Sequence, residues 1–232
     1  MKDDNFLSGI MGFRCGIANL AEPKSLADIG NYRFAYSKTD VSIEASQKAL
    51  SNKFYLADVS VMLRMGSSHC NATRPQPKDV SLAEERDRES VTRIAFSNFS
   101  HDRFHCDPNI PDAIASEIKC QWVGNFFSGI RGDQCFVARS ENLSVKGFLL
   151  SIIRNNEVVI DLIAVDSIYR RKGVAKNLID GMLSYYQKDY AAYSVGTQLN
   201  NTASVRLYES IGYQVVSHGA VWHYYDTQEP GD

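Results

Sequence analysis

Arg170, Arg171 and Lys172 stand directly before Gly173 in the stretch "YRRKGVAKNLI", residues 169–179. An apolar run, "EVVIDLIAV", precedes them. Behind them Val174, Leu178, Ile179, Met182, Leu183 and Tyr186 recur at helical spacing. A helix start carries unpaired N–H groups and a partial positive charge, so each cation there costs about 0.3–1 kcal/mol. Three cations at such a point, followed by a residue that lets backbone approach a ligand closely, predict an oxyanion seated on the N–H groups. A solvated basic turn has the same composition. The strand–loop–helix context favours the anion.

A second constellation lies at "NTASVRLYESIGY", residues 201–213. Asn201 and Tyr208 are seven residues apart and share one helix face. A phenol, with a reference pKa near ~10, can protonate a departing anion at neutral pH. Tyr208 also suits a core position. Asn201 also suits an N-cap, and capping does not preclude ligand contact. Two carboxylates on apolar strands, Asp58 in "YLADVSV" and Asp161 in "VVIDLIAV", are candidate bases, because such acids are unusual unless exposed, paired or functional. His101, His105 and His218 fall in loops or turns, and His223 fits an alternating strand. With no ligand spacing among them, no metal site is expected.

The whole chain bounds the possibilities. Its 232 residues are 44% hydrophobic and 22% charged, which excludes disorder and fibrous classes. A formal charge of −2 argues against nucleic acid and against a membrane surface as partner. The cations are concentrated locally, as a small anionic ligand requires. The five cysteines (15, 70, 106, 120, 135) show no CxxC pattern and read as idle thiols of a reducing compartment. No apolar leader or bilayer-length run is present, so the cytoplasm is the expected location.

These residues need elements to hold them. Residues 66–82, polar with two prolines, read as a linker between an N-terminal unit at 1–65 and a larger unit at 83–232. The first unit alternates toward strands in "GFRCGIANL" and "FYLADVSVMLRM", with a helix at "SIEASQKALSN" between them. The second opens with two helices, "LAEERDRESVTRIAFSNF" and "IPDAIASEIKCQWVGNFF", the latter with Trp122 and Phe126 as core residues. A meander at 134–139, 146–154 and 157–165 follows. The helix from Val174 then leads to a parallel strand, "AAYSVGTQL", by a right-handed crossover. A short helix ends at Gly212, and "YQVVSH" with "AVWHYY" closes the chain as a hairpin. The fold class is α/β, a mixed sheet with one parallel step and helices packed on it.

The pattern Arg170-x-x-Gly173-x-Ala175 after its strand, followed by Asn201, Leu207-Tyr208 and Gly212-Tyr213, resembles the GNAT superfamily of N-acetyltransferases over about residues 83–226. The resemblance implies a GNAT fold carrying a smaller N-terminal α/β domain, and acetyl-CoA as cofactor. It places the pyrophosphate at Arg170, Arg171, Lys172, Gly173, Val174 and Ala175. Backbone groups of Leu162, Ile163, Ala164 and Val165 would pair with the pantetheine, and Asn201 would also reach cofactor. Tyr208 would be the acid, and Asp58 or water the base. "GIRGDQCFVARSE" and "DRFHCDPNI…QWVGNFF" are further similar to members that acetylate TDP-linked amino sugars. That similarity implies a small-molecule amine as partner, a TDP- or UDP-amino sugar, with Arg103 and Phe104 binding it. A peptide or polyamine acceptor, or a CoA-binding module without turnover, are the competing readings. A homodimer through strand edges is common in the superfamily.

Overall fold

The computed structural model of the chain describes residues 1–69, 76–187 and 189–226. Among these residues the elements are, in order, β1 (Lys2–Asp3), α1 (Asn5–Met11), β2 (Cys15–Ile17), β3 (Phe34–Thr39), α2 (Ile43–Ser51) and β4 (Tyr55–Gly66). Then come β5 (Val80–Leu82), α3 (Arg88–Ser97), α4 (Asp112–Phe127), β6 (Gln134–Arg139), β7 (Val145–Arg154), β8 (Glu157–Val165), α5 (Val174–Tyr186), β9 (Ala192–Gln198), α6 (Thr202–Ile211) and β10 (Gln214–Tyr225). The strands form one mixed sheet in the order β1-β2-β3-β10-β4-β9-β8-β7-β6-β5. Strands from residues 1–65 thus share a sheet with those that follow, and β4 lies between β9 and β10. Cys70 and residues 71–75 of the expected linker lie outside the described residues, and its last three residues form β5 against β6.

Helices cover both faces. The apolar stripe of α5 is buried as its spacing requires, with Leu178, Ile179, Met182 and Leu183 fully inside a core shared with Val158, Ile160 and Tyr208. The opposite face packs α3 and α4, through Val91, Ile94 and Val123, onto Phe148, Leu150, Leu162 and Ala164. Each fully buried aliphatic side chain of this kind contributes roughly 1.5–3 kcal/mol of transfer free energy.

Two expectations are corrected. The C-terminal hairpin is a single strand: β10 runs from Gln214 to Tyr225, paired with β4 from Gln214 to His223 and with β3 from Ala220 onward. Gly219, which reads as a turn residue, is there for close approach, since a Cβ would come within 2.9 Å of the Thr39 carbonyl oxygen. The sheet also has two parallel steps, β8–β9 as expected and β2–β3 in addition. A strand of three residues carries too little periodicity to reveal its direction.

Strand β8 changes faces midway. Its register with β7 shifts between Leu150–Leu162 and Ser151–Ile160, so Asp161 is an extra residue, a β-bulge. Val158 and Ile160 belong to the α5 core, whereas Leu162 and Ala164, of the same parity, belong to the α3–α4 core. One inserted residue reverses which side chains face which layer.

Candidate active site

Pairing between β8 and β9 runs from Glu157–Ala192 to Ile160–Val195 and stops. Beyond it β8 stays with β7 and β9 stays with β4, so the two parallel strands part. The Asp161 bulge sits where they part. Asp166 donates its N–H to Lys146 of β7. By the alternation of a ladder, Ile163 and Val165 therefore direct their backbone groups away from β7, into the gap. The Arg170 side chain takes up the Val165 carbonyl at 3.4 Å.

The gap opens into a cleft of about 1880 Å³. Tyr208, Asp58, Leu162, Ile163, Ala164, Val165, Arg170, Arg171, Gly173, Val174, Ala175, Asn201, Arg103 and Phe104 all line it. Lys172 does not; its ammonium stands 5.7 Å from the Tyr169 ring centroid.

At one end of the cleft α5 begins at Gly173, with φ of 79° and no side chain capping its first N–H groups. That left-handed φ is what glycine supplies here, because the space a Cβ would occupy is open. Arg171 also takes a positive φ, 63°, and is exposed. Arg170 is already engaged: it donates to the Asn98 carbonyl and side-chain oxygens at 3.1 and 3.0 Å, tying the loop to the end of α3. The open N–H groups and the cationic side chains fit the diphosphate of a coenzyme A thioester.

The cleft wall beside α6 carries Asn201 and Tyr208. Asn201 caps α6, accepting from the Ser204 N–H at 3.2 Å, and still lines the cleft. Tyr208 is buried against Tyr213, ring centroids 5.8 Å apart. Burial raises its pKa above the ordinary phenol value.

At the other end β3, β10 and β4 form the floor. Val221 pairs with Lys38 on one side and Asp58 on the other, and His223 pairs with Tyr36 and Tyr55, so these residues share one face. Burial pushes the Asp58 carboxyl up to about 6, and the nearby Asp102 charge adds to this, against the opposing Val59 N–H, Arg103 and Lys38. Arg103, in the α3–α4 loop, stacks on Tyr36 with 3.9 Å from guanidinium to ring centroid, and on Phe104 with 4.3 Å. Phe104 is itself buried beneath that cation. Among the described residues no carboxylate oxygen lies within 4.0 Å of Arg103 or Lys38.

The competing carboxylate is committed elsewhere. Asp161 accepts from both Nε and Nη2 of Arg131, at 2.8 and 2.6 Å, and from the Trp122 indole N–H at 2.7 Å. Such a pinned carboxylate anchors the bulge. Trp122 is half-buried, packs against the core of Leu7, Phe104 and Ile118 and also lines the cleft, and Phe126 packs against the α3–α4 core.

Sequence reasoning missed Lys119, whose buried ammonium faces Asp102 at 3.5 Å and the rings of Phe99, Phe104 and Trp122 at 5.2–5.7 Å. Burial lowers its pKa, and Asp102 opposes this. A lysine on the apolar face of "IASEIKCQWV" is the signal that would have found it. Lys38 and His223 were missed as well; each looks ordinary in its own strand, and only the register places them together.

A parallel pair that splays beside an uncapped, basic helix start makes a cleft suited to an extended anionic ligand. In agreement, residues 95–213 match the model of the Acetyltransferase (GNAT) family, and the chain belongs to that family. It is 29% identical over 147 residues to the spore coat polysaccharide biosynthesis protein SpsD of Bacillus subtilis (strain 168), covering 63% of this chain and 50% of that one. It is 27% identical over 145 residues to dTDP-fucosamine acetyltransferase of Escherichia coli O6:H1, covering 62% and 61%. The matches thus span 50% and 61% of these relatives' lengths. The fold is similar to a conserved protein of unknown function from Staphylococcus epidermidis, with TM-score 0.65, 12% identity and coverage of 92% and 84%. It is also similar to a GCN5-related N-acetyltransferase from Sphaerobacter thermophilus, with TM-score 0.59, 12% identity and coverage of 83% and 59%.

Proposed function

We propose that the chain is an acetyl-CoA-dependent N-acetyltransferase acting on the amino group of a nucleotide-linked amino sugar. The observation that carries the acceptor class is the pair of cations, Lys38 and Arg103, facing Asp58 without carboxylate partners of their own. A diphosphate satisfies those cations while its sugar amine meets the carboxylate. A polyamine would meet repulsion from both. The names of the two curated relatives, one a spore coat polysaccharide biosynthesis protein and the other a dTDP-fucosamine acetyltransferase, support the same class.

Acetyl-CoA supplies an activated acyl group on a thiol leaving group. The N–H groups at the start of α5, with Arg171, hold the pyrophosphate, and the Ile163 and Val165 backbone aligns the pantetheine. The Ile163 N–H polarises the acetyl carbonyl and stabilises the oxyanion as the amine adds. Asp58, directly or through water, accepts the ammonium proton, and its elevated pKa suits that exchange near neutrality. Tyr208, kept protonated by its burial, returns a proton to the departing thiolate. Both substrates are held together and attack is direct.

Release of free thiol from acetyl-CoA tests this against a panel of TDP- and UDP-linked amino sugars, peptides and polyamines. Turnover confined to the nucleotide sugars is expected. Faster turnover of a peptide or polyamine would overturn the acceptor class, and no turnover with any amine would overturn the activity.

A further inference from the structure

Behind Arg103 stands a buried chain of hydrogen bonds that acetyl transfer does not itself require. The Asp107 carboxylate accepts from the Asn109 N–H at 2.9 Å, the Tyr55 hydroxyl at 2.7 Å and the His223 Nδ1 at 2.6 Å. The Tyr55 oxygen in turn accepts from the Asn109 amide at 3.0 Å. With Nδ1 carrying the proton toward Asp107, the other ring nitrogen of His223 presents a lone pair. It meets Arg103 Nη1 at 3.3 Å. The His223 and Asp107 side chains are 0% exposed, and burial holds the imidazole neutral. The ring is wedged edge-on to Phe34, centroids 4.9 Å apart.

The arrangement joins three parts of the molecule. Tyr55 is on β4, His223 on β10, and Asp107, Asn109 and Arg103 are on the α3–α4 loop. A loop arginine ordinarily loses much rotamer entropy when it is ordered on an anion. Here two aromatic faces and one imidazole nitrogen order it beforehand. Besides His223 only the Tyr36 hydroxyl bonds the guanidinium, and among the described residues no carboxylate pairs with it, so its charge stays available to a ligand.

Building on the acceptor reading above, we infer that His223, held by Asp107, is the positioning residue that aims the Arg103 guanidinium at an anionic group of the acceptor. It thereby sets the preference for phosphorylated amines. A protonated imidazole, or an apolar ring at 223, removes the acceptor and lets the guanidinium swing.

The test is calorimetric binding of TDP to protein saturated with coenzyme A, so that the α5 loop is filled. Arg103→Met and His223→Phe are each expected to weaken TDP by about tenfold or more, the loss of a hydrogen bond to a charged group. The double variant should be no weaker than either single one, because both act through one contact. His223→Gln, which keeps a donor and an acceptor, should recover part of the affinity. Coenzyme A affinity should stay at the parent value throughout. In turnover, the His223 variants should raise KM for the charged acceptor while leaving KM for the same amino sugar without its nucleotide unchanged. Should His223→Phe not fold, His223→Gln and the Arg103→Met/His223→Gln pair carry the same comparison.

Parent-like TDP affinity in folded His223→Phe, or losses that multiply in the double variant, would overturn the positioning role. So would failure of the parent protein to bind TDP. TDP binding that depends on Arg103 and His223, without turnover of any nucleotide-linked amino sugar, would instead overturn the acceptor reading and leave the positioning role standing.

Discussion

Lys38 and Asp58 stand on either side of Val221 in one row of the sheet, on the face that lines the cleft. Two strand spacings, about 10 Å between backbones, separate them. That distance is short enough for each to influence the other's ionisation, and long enough for a ligand to lie between them.

Asp58→Asn is expected to lower kcat/KM about a hundredfold at pH 7 by removing the base. In the parent enzyme activity should rise with pH through about 6, the Asp58 value, and the variant should lose that limb. The sign for stability is opposite. A carboxyl whose folded pKa is raised disfavours the fold once ionised, so the substitution should raise the melting temperature above pH 6. The gain should vanish as pH falls below the unfolded value near ~4. Parallel pH–rate profiles for the two proteins would count against the base.

Tyr208→Phe keeps the ring against Tyr213 and removes only the hydroxyl. A fall in kcat of roughly 10²-fold, with the melting temperature within a few degrees of the parent's, is the expected result. Single-turnover measurements at saturating acetyl-CoA check it. An unchanged kcat from pH 6 to 9 would leave Tyr208 a packing residue.

The three cations before Gly173 should not behave alike. Arg171→Ala is expected to weaken acetyl-CoA about fivefold, more at low salt, without affecting stability. Arg170→Ala should cost both affinity and stability, because that side chain also holds Asn98 and the Val165 carbonyl. Lys172→Ala should have the smallest effect of the three. Equilibrium binding at two ionic strengths, with thermal melts, separates them.

Arg131→Met strands the half of Asp161 that faces it at the bulge. A loss of about 2 kcal/mol is expected in denaturant unfolding, and adding Asp161→Asn should restore most of it. If the double variant is no more stable than the single one, the pair does not anchor the bulge.

The strand–loop–helix of the proposed cofactor side was legible in the sequence because its signals are local. An apolar strand, a glycine that must take a left-handed φ, and an amphipathic helix lie within 30 consecutive residues, and periodicity reports each. Asn201 and Tyr208 were legible for the same reason, since one helix face puts them together. The continuity of β10 was not, because a glycine needed for close approach and one needed for a turn look alike in sequence.

The proposed acceptor side was decided by long-range pairing alone. Lys38, Asp58 and Val221 are far apart in the chain and meet only through the registers of β3, β4 and β10. Nothing local in "VWHYY" tells a buried histidine of a strand from one that Asp107 turns into an acceptor for Arg103. The sequence by itself determined the strand–loop–helix with its basic turn, since that follows from near-neighbour backbone geometry. The tertiary structure decided which charges face each other across the cleft, since a side chain's partners and desolvation depend on strands brought from distant parts of the chain.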